Sequence, residues 1–217
     1  MSLHQPGRRT RIKLCGLSRS EHLGLAADLG VDAVGLVFYG PSARCVDPNR
    51  AAEMAAVCPP FVTLTGLFVN PSAAEVEQVL ARVPLDCLQF HGDESNDFCR
   101  QFGRPWIKAV RMEPALAVAD ELERWPDARG LLLDAWHPEQ PGGTGLTFDW
   151  SLIPERWRGR IVLAGGLTPD NVGQAIQQVR PWAVDVSGGI EHRKGDKDSA
   201  LMAAFVAAVR QEDERDD

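Results

Sequence analysis

Cysteine is sparse and unpaired in this chain. The five at 15, 45, 58, 87 and 99 are scattered, odd in number and without CxxC spacing, so neither a disulfide framework nor a zinc site is suggested. The five histidines, at 4, 22, 91, 137 and 192, show no metal-ligand spacing either. Positive charge is short: 23 Lys and Arg against 30 Asp and Glu leave a formal charge of -7, with no basic cluster of the kind that binds a phosphodiester backbone. Nucleic acid is thereby excluded as a partner. No apolar run approaches the roughly 20 residues a membrane helix needs, and the opening MSLHQPGRRT has no apolar segment to make it a signal peptide. The expected compartment is the cytoplasm, with no membrane partner and with reduced thiols. The GxGxxG fingerprint of a dinucleotide fold is absent too, because the first strand-like run is followed by Gly16-Leu17-Ser18.

What is present is a chain of 217 residues, 44% apolar, long enough to bury a sizeable core. Short apolar runs alternate with stretches of helical periodicity, the pattern of β-α units around a parallel sheet. Eight strands are expected: 11–15, 33–38, 61–69, 87–91, 106–110, 130–134, 161–165 and 183–187. Eight is the number that closes a β/α (TIM) barrel, and with no dinucleotide fingerprint the closed barrel is preferred to a doubly wound sheet. No linker divides the chain. The expected organisation is a flexible N-terminal extension over 1–10, one barrel domain over 11–210, and an acidic, flexible tail over 211–217 that ends the charged run RQEDERDD.

Barrel active sites form at the C-terminal ends of the strands. Cys15 and Asp134 end strands one and six and are the candidate proton-transfer pair. Lys13 shares a strand face with Cys15, which makes it a candidate to lower the thiol pKa. Strands seven and eight run into glycine-rich turns, LAGGLTPDN and DVSGGIE, whose backbone amides can approach an anion closely. Gly165, Gly166, Ser187, Gly188 and Gly189 are therefore candidate phosphate ligands, helped by a helix expected to start with Thr168 as N-cap and Pro169 at its first position. Arg44, in the loop after strand two, is suited to grip a carboxylate with two parallel hydrogen bonds. Gln89, His91, Asp185 and Gly143 are further pocket-lining candidates, as is Lys13. The glycine cluster from Pro141 to Gly145 reads as a mobile lid. Asp32 and Asp86 precede strands two and four, at the opposite end of the barrel, and are assigned to capping and stability. Cys45, Cys58, Cys87 and Cys99 are expected to be packing residues. The partner these features imply is an anionic small molecule, and the sequence leaves monomer and homodimer both open.

Together the motifs resemble those of phosphoribosylanthranilate isomerase, a family of tryptophan biosynthesis. The matching segments are KLCGL (13–17), VGLVFY with SAR (34–44), GLFVN (66–70), LQFHGDE (88–94), LLLDA (131–135), GGTGLTFDW (142–150), LAGGLTPDNV (163–172) and VDVSGGIE (184–191). The resemblance implies an eight-stranded β/α barrel that carries out an Amadori rearrangement without cofactor or metal. It further implies Cys15 as general base, Asp134 as general acid, Arg44 as partner of the anthranilate carboxylate, and the two glycine turns as the phosphate site. For that role the thiol of Cys15 is expected below its free value of about 8.5. Pro41, Cys45 and Leu146 depart from the family's usual residues. The alternatives are the sister sugar-phosphate isomerase of histidine biosynthesis, which uses a carboxylate where this chain has Cys15, and a non-catalytic phosphosugar-binding barrel, which has no use for both proton-transfer groups.

Overall fold

The computed structural model describes residues 9–112, 118–135 and 147–215. Eight parallel strands close into a barrel in chain order: β1 (Arg11–Cys15), β2 (Ala33–Val37), β3 (Thr63–Phe68), β4 (Cys87–Phe90), β5 (Trp106–Met112), β6 (Gly130–Ala135), β7 (Ile161–Leu163) and β8 (Ala183–Val186). The expected strands are all found, each end within two residues of its expected place. Closure comes from β8 against β1, with Ile12 opposite Val184 and Lys13 opposite Asp185.

The connecting helices are α1 (Ser20–Asp28), α2 (Pro48–Ala56), α3 (Ala73–Leu80), α4 (Asn96–Arg100), α5 (Val118–Glu123), α6 (Val172–Val179) and α7 (Ser199–Asp213). Their starts are set locally. Asp47 accepts from the amides of Asn49 and Arg50 with Pro48 in the first turn, Ser72 and Glu75 form a reciprocal capping box, and Asp198 accepts from Ala200 and Leu201. Between β6 and β7 the described residues form two 3-10 turns, Trp150–Leu152 and Glu155–Trp157, in place of an α-helix. A hairpin that the sequence pattern did not suggest, β9 (Glu191–Arg193) with β10 (Asp196–Lys197), follows β8. No helix among the described residues is long and apolar enough to cross a membrane.

Strand alternation sorts the side chains. Ile12 and Leu14 join the main core shared with helix residues such as Leu23, Met54 and Phe205, while Cys15 packs with Val37 and Leu67 in a separate, smaller cluster. Asp32 and Asp86 sit where the sequence suggests. The Asp32 carboxylate accepts from Ile12 N at 2.9 Å, and that of Asp86 from Leu64 N at 2.8 Å, so each satisfies an amide of the preceding strand.

Four expectations are corrected. Thr168 is not an N-cap: α6 starts at Val172, one turn later, because the Thr168 carbonyl accepts from the amides of Asn171 and Val172 and closes a turn of its own. The chain past Arg210 does not become a free end at once, since α7 runs to Asp213, Glu212 is buried, and Asp213 accepts from Thr10 N and Oγ1 at 2.8 and 2.7 Å. Thr10, assigned to the N-terminal extension, is buried by the same contact. Cys45 is exposed, so it is not a packing residue, whereas Cys99 is buried and Cys58 and Cys87 are half-buried.

Asp32→Ala should lower unfolding stability by about 1–2 kcal/mol, the cost of leaving the Ile12 amide without its acceptor. Urea titration checks this, and an unchanged midpoint and slope would show that the carboxylate contributes nothing.

Candidate active site

The C-terminal ends of the strands surround a cavity of about 330 Å³. Cys15 lines it from β1, Gln89 from β4, Asp134 from β6 and Asp185 from β8. Just past the strand ends come His91, Gly165, Gly166, Ser187, Gly188 and Gly189, and Arg44 arrives from the loop between β2 and α2. Of the candidates named above, one described residue stays off the wall. Lys13 lies beneath, buried, with its ammonium 2.8 Å from Asp185 Oδ1. Gly143, the Pro141–Gly145 cluster, His137 and Leu146 lie outside the described residues. Pro41 lines the cavity beside Ser42 and Ala43.

The thiol corrects an expectation. Burial pushes Cys15 up from its ordinary value; the attraction of Lys13 pulls it down without reversing the shift, and repulsion from Asp185 adds to the rise. Lys13 is the strongest influence lowering the thiol, and Asp185, its ion-pair partner, offsets part of that pull. Lys13 itself is raised: burial works against its charge, and attraction to Asp185 and to the Cys15 sulfur outweighs that.

Asp134 is held from two sides. Its Oδ1 accepts from Ala135 N at 2.9 Å, and its Oδ2 lies 3.1 Å from His91 Nε2, out of line for a hydrogen bond. The Gln89 amide nitrogen is 3.3 Å from His91 Nδ1. The backbone of His91 is fixed by the hydrogen bond its N–H donates to Phe68 O and by the turn that follows, where Glu94 accepts from Gly92 N and from Asn70 N and pairs with buried Lys108 at 2.9 Å. The acidic end of the LQFHGDE segment thus shapes a loop and stays off the cavity wall.

At the other end the two glycine turns press together. Gly165 has φ +79°, and a Cβ there would overlap Ala135 N; a Cβ on Gly189 would overlap the Leu167 carbonyl. Only glycine allows β7 and β8 to bring both turns to one side of the cavity. No group of three or more His, Cys, Asp or Glu among the described residues is arranged to hold a metal ion.

Arg44 reaches this region already engaged. Its Nε and Nη2 donate to Glu191 Oε1 and Oε2 at 2.7 and 2.8 Å, and its side chain is nearly buried. Glu191 also accepts from Lys197 Nζ at 2.8 Å, and Lys197 donates in addition to Ser187 O and Oγ at 2.9 and 3.2 Å. Burial alone would raise Glu191, but Arg44 and Lys197 take it below its ordinary range. Burial lowers Lys197, aided by repulsion from Arg44 and opposed by Glu191; three acceptors around its nitrogen match the three donors of the ammonium form. Glu191 and Lys197 escaped the sequence analysis. Their one signal is an acidic residue set directly after a turn expected from the sequence to take an anion, which calls for a cation nearby.

The family model described as N-(5'-phosphoribosyl)anthranilate isomerase matches residues 12–208. A curated relative from Pseudomonas putida, named N-(5'-phosphoribosyl)anthranilate isomerase, is 53% identical over 201 residues, covering 93% of this chain and 98% of the relative. The crystal structure of phosphoribosylanthranilate isomerase from Thermotoga maritima is similar with a TM-score of 0.81 at 38% identity, over 93% of this chain and 99% of that one. A second solved structure, of the isomerase in complex with reduced 1-(o-carboxyphenylamino)-1-deoxyribulose 5-phosphate, is similar with a TM-score of 0.78 at 36% identity, over 93% of this chain and 99% of that one. With a closed barrel, a cavity shared by Cys15, Asp134 and two glycine turns, and a family match over almost its whole length, this chain belongs to the N-(5'-phosphoribosyl)anthranilate isomerase family.

Proposed function

We propose that this chain catalyses the Amadori rearrangement of N-(5-phosphoribosyl)anthranilate to 1-(2-carboxyphenylamino)-1-deoxyribulose 5-phosphate, the third step from chorismate to tryptophan, by general acid-base chemistry. One observation carries the assignment of roles: a thiol from β1 and a carboxyl from β6 face a single cavity that ends in two glycine turns. The relative solved with a reduced form of that product supports the same substrate class.

Asp134 protonates the furanose ring oxygen, the C1–O bond breaks, and the aminoaldose opens to an iminium. The cation acidifies the adjacent C2–H, Cys15 removes that proton, and the resulting enol tautomerises to the ketose. The raised thiol suits this order of events. A thiolate is a minority form in the empty site, so the thiol first releases its proton to solvent; the iminium, with its positive charge beside the sulfur, favours that thiolate, and a base of higher pKa removes the C2 proton with more driving force. Arg44 holds the anthranilate carboxylate, and Gly165, Gly166, Ser187, Gly188 and Gly189 hold the phosphate through backbone amides and one hydroxyl. Gln89, His91 and Asp185 line the space between. The chemistry calls on proton transfer alone, with no cofactor. The partner is a small anionic substrate, and the cytoplasm, where free thiols stay reduced, is the proposed compartment.

Loss of fluorescence as phosphoribosylanthranilate generated in situ is consumed, and rescue of a tryptophan auxotroph, test the activity; failure of both would reject it. Cys15→Ala and Asp134→Asn should each lower kcat by at least about a hundredfold, the scale of general acid-base catalysis, with the fold intact by circular dichroism. Turnover near wild type in either variant would remove that residue from its role. Labelling of Cys15 by iodoacetamide, followed by peptide mass spectrometry, should keep accelerating with pH beyond the ordinary thiol value of about 8.5, because burial holds the thiolate back. A plateau reached below about pH 8.5 would mean the thiol is not raised.

A further inference from the structure

The site's two anion grips are joined behind the cavity wall by one buried carboxylate. Glu191 takes the Nε and Nη2 side of the Arg44 guanidinium with both oxygens, and one of those oxygens also receives Lys197, whose remaining donors go to the Ser187 carbonyl and hydroxyl. The Arg44 side chain is 10% exposed, Glu191 4% and Lys197 0%, so this chain of contacts is screened little by solvent.

The geometry has a specific chemical result at each end. A guanidinium has five N–H donors in a plane. Glu191 engages the edge made by Nε and Nη2, so the edge made by Nη1 and Nη2 retains its own pair of parallel donors for a second carboxylate. Side-on capture of Arg44 by Glu191 therefore sets the plane in which an end-on carboxylate is received. At the other end, the Ser187 oxygen accepts from Lys197 and the Ser187 proton is left to donate elsewhere. Ser187 lines the cavity, so that proton is available to an anion there. Lys197 spends all three donors inside the protein and works from behind the turn, as a fixed positive charge and an anchor.

We propose that Glu191 and Lys197 are positioning residues of the isomerase: Glu191 orients Arg44 so that its outer edge meets the substrate carboxylate, and Lys197 orients Ser187 so that its hydroxyl donates to the substrate phosphate. The proposal rests on the substrate placement given above, with the carboxylate on Arg44 and the phosphate at the turn of Ser187. Two cations share one carboxylate in this chain of contacts, which leaves a net positive charge next to a dianion in a protein that is acidic overall.

The test is steady-state kinetics on the full chain with Glu191→Gln, Glu191→Asp, Lys197→Met and Arg44→Ala, each checked for cooperative thermal unfolding. Glu191→Gln and the charge-conserving, shorter Glu191→Asp should each raise KM at least about tenfold with kcat within about threefold, because they disturb binding geometry and leave the proton-transfer pair in place. Either change added to Arg44→Ala should raise KM by no more than about a further twofold, since its effect passes through Arg44. Lys197→Met should weaken competitive inhibition by inorganic phosphate at least about fivefold, while Arg44→Ala leaves that inhibition within about twofold. If Arg44→Ala leaves KM unchanged, the carboxylate placement fails, however Glu191 behaves. If Arg44→Ala raises KM but both Glu191 variants bind substrate like wild type, or their effects multiply with that of Arg44→Ala, the role of Glu191 is overturned. Unchanged phosphate inhibition in Lys197→Met would overturn that of Lys197. Should Glu191→Gln lose cooperative unfolding through its uncompensated buried cations, Glu191→Asp decides the first arm.

Discussion

The parallel pairing of β8 with β1 is the contact on which the site depends. It sets Lys13 opposite Asp185 and Leu14 opposite Val186, so the strand carrying Cys15 ends beside the strand that leads into Ser187 and the last glycine turn. Residues from the two ends of the chain become neighbours on one rim. Because strand side chains alternate, a slip of one residue in this register would turn Cys15 toward the helices and Leu14 into the barrel. The same pairing places a lysine and an aspartate face to face inside the barrel, where each would be costly alone.

That interior pair belongs to a consistent treatment of charge. Lys13 with Asp185, Lys108 with Glu94, and Arg44 and Lys197 with Glu191 are ion pairs buried near the strand ends. Buried pairs contribute little net stability, since desolvation offsets their attraction, but breaking one by removing a partner is destabilising. Their consequence is geometric: side chains locked to one another cannot swing. The first pair braces the floor under the thiol, the second shapes the loop that follows His91, and the third group ties the Arg44 loop to the turn after β8. Two of the three sets cancel one to one. The third carries an excess cation and lies beside the glycine turn after β8, a local positive charge in a chain of net charge -7.

Most of the barrel was legible because its strands, buried on both faces, read as short apolar runs that local pattern alone separates from the polar helices. The α6 boundary was not. Thr168-Pro169 has the composition of a helix start, but the Thr168 carbonyl closes a separate turn first. The chain ends misled for a similar reason: a run of charges looks solvated until Asp213 meets Thr10 from the far end of the chain. At the site, Cys15, Asp134, Arg44 and the glycine turns were visible as residues at strand ends or in the loops after them, and all of them face one cavity. The direction of the thiol's shift was not visible, because it depends on how deeply the sulfur is enclosed and on the repulsion of Asp185, which comes from the far end of the chain.

By itself the sequence determined the number and order of the strands, the identity of the residues at their C-terminal ends, and the motifs that mark the family. Those properties are local, carried by the alternation of side chains and by the types of residue that follow each strand. Only the tertiary structure decided which of them share a wall, how the buried charges are partnered, and which edge of Arg44 remains open to a ligand. Those properties depend on burial and on contacts between residues remote in the chain, such as Arg44 with Glu191 and Lys13 with Asp185, and neither depth nor distance is written in any one segment.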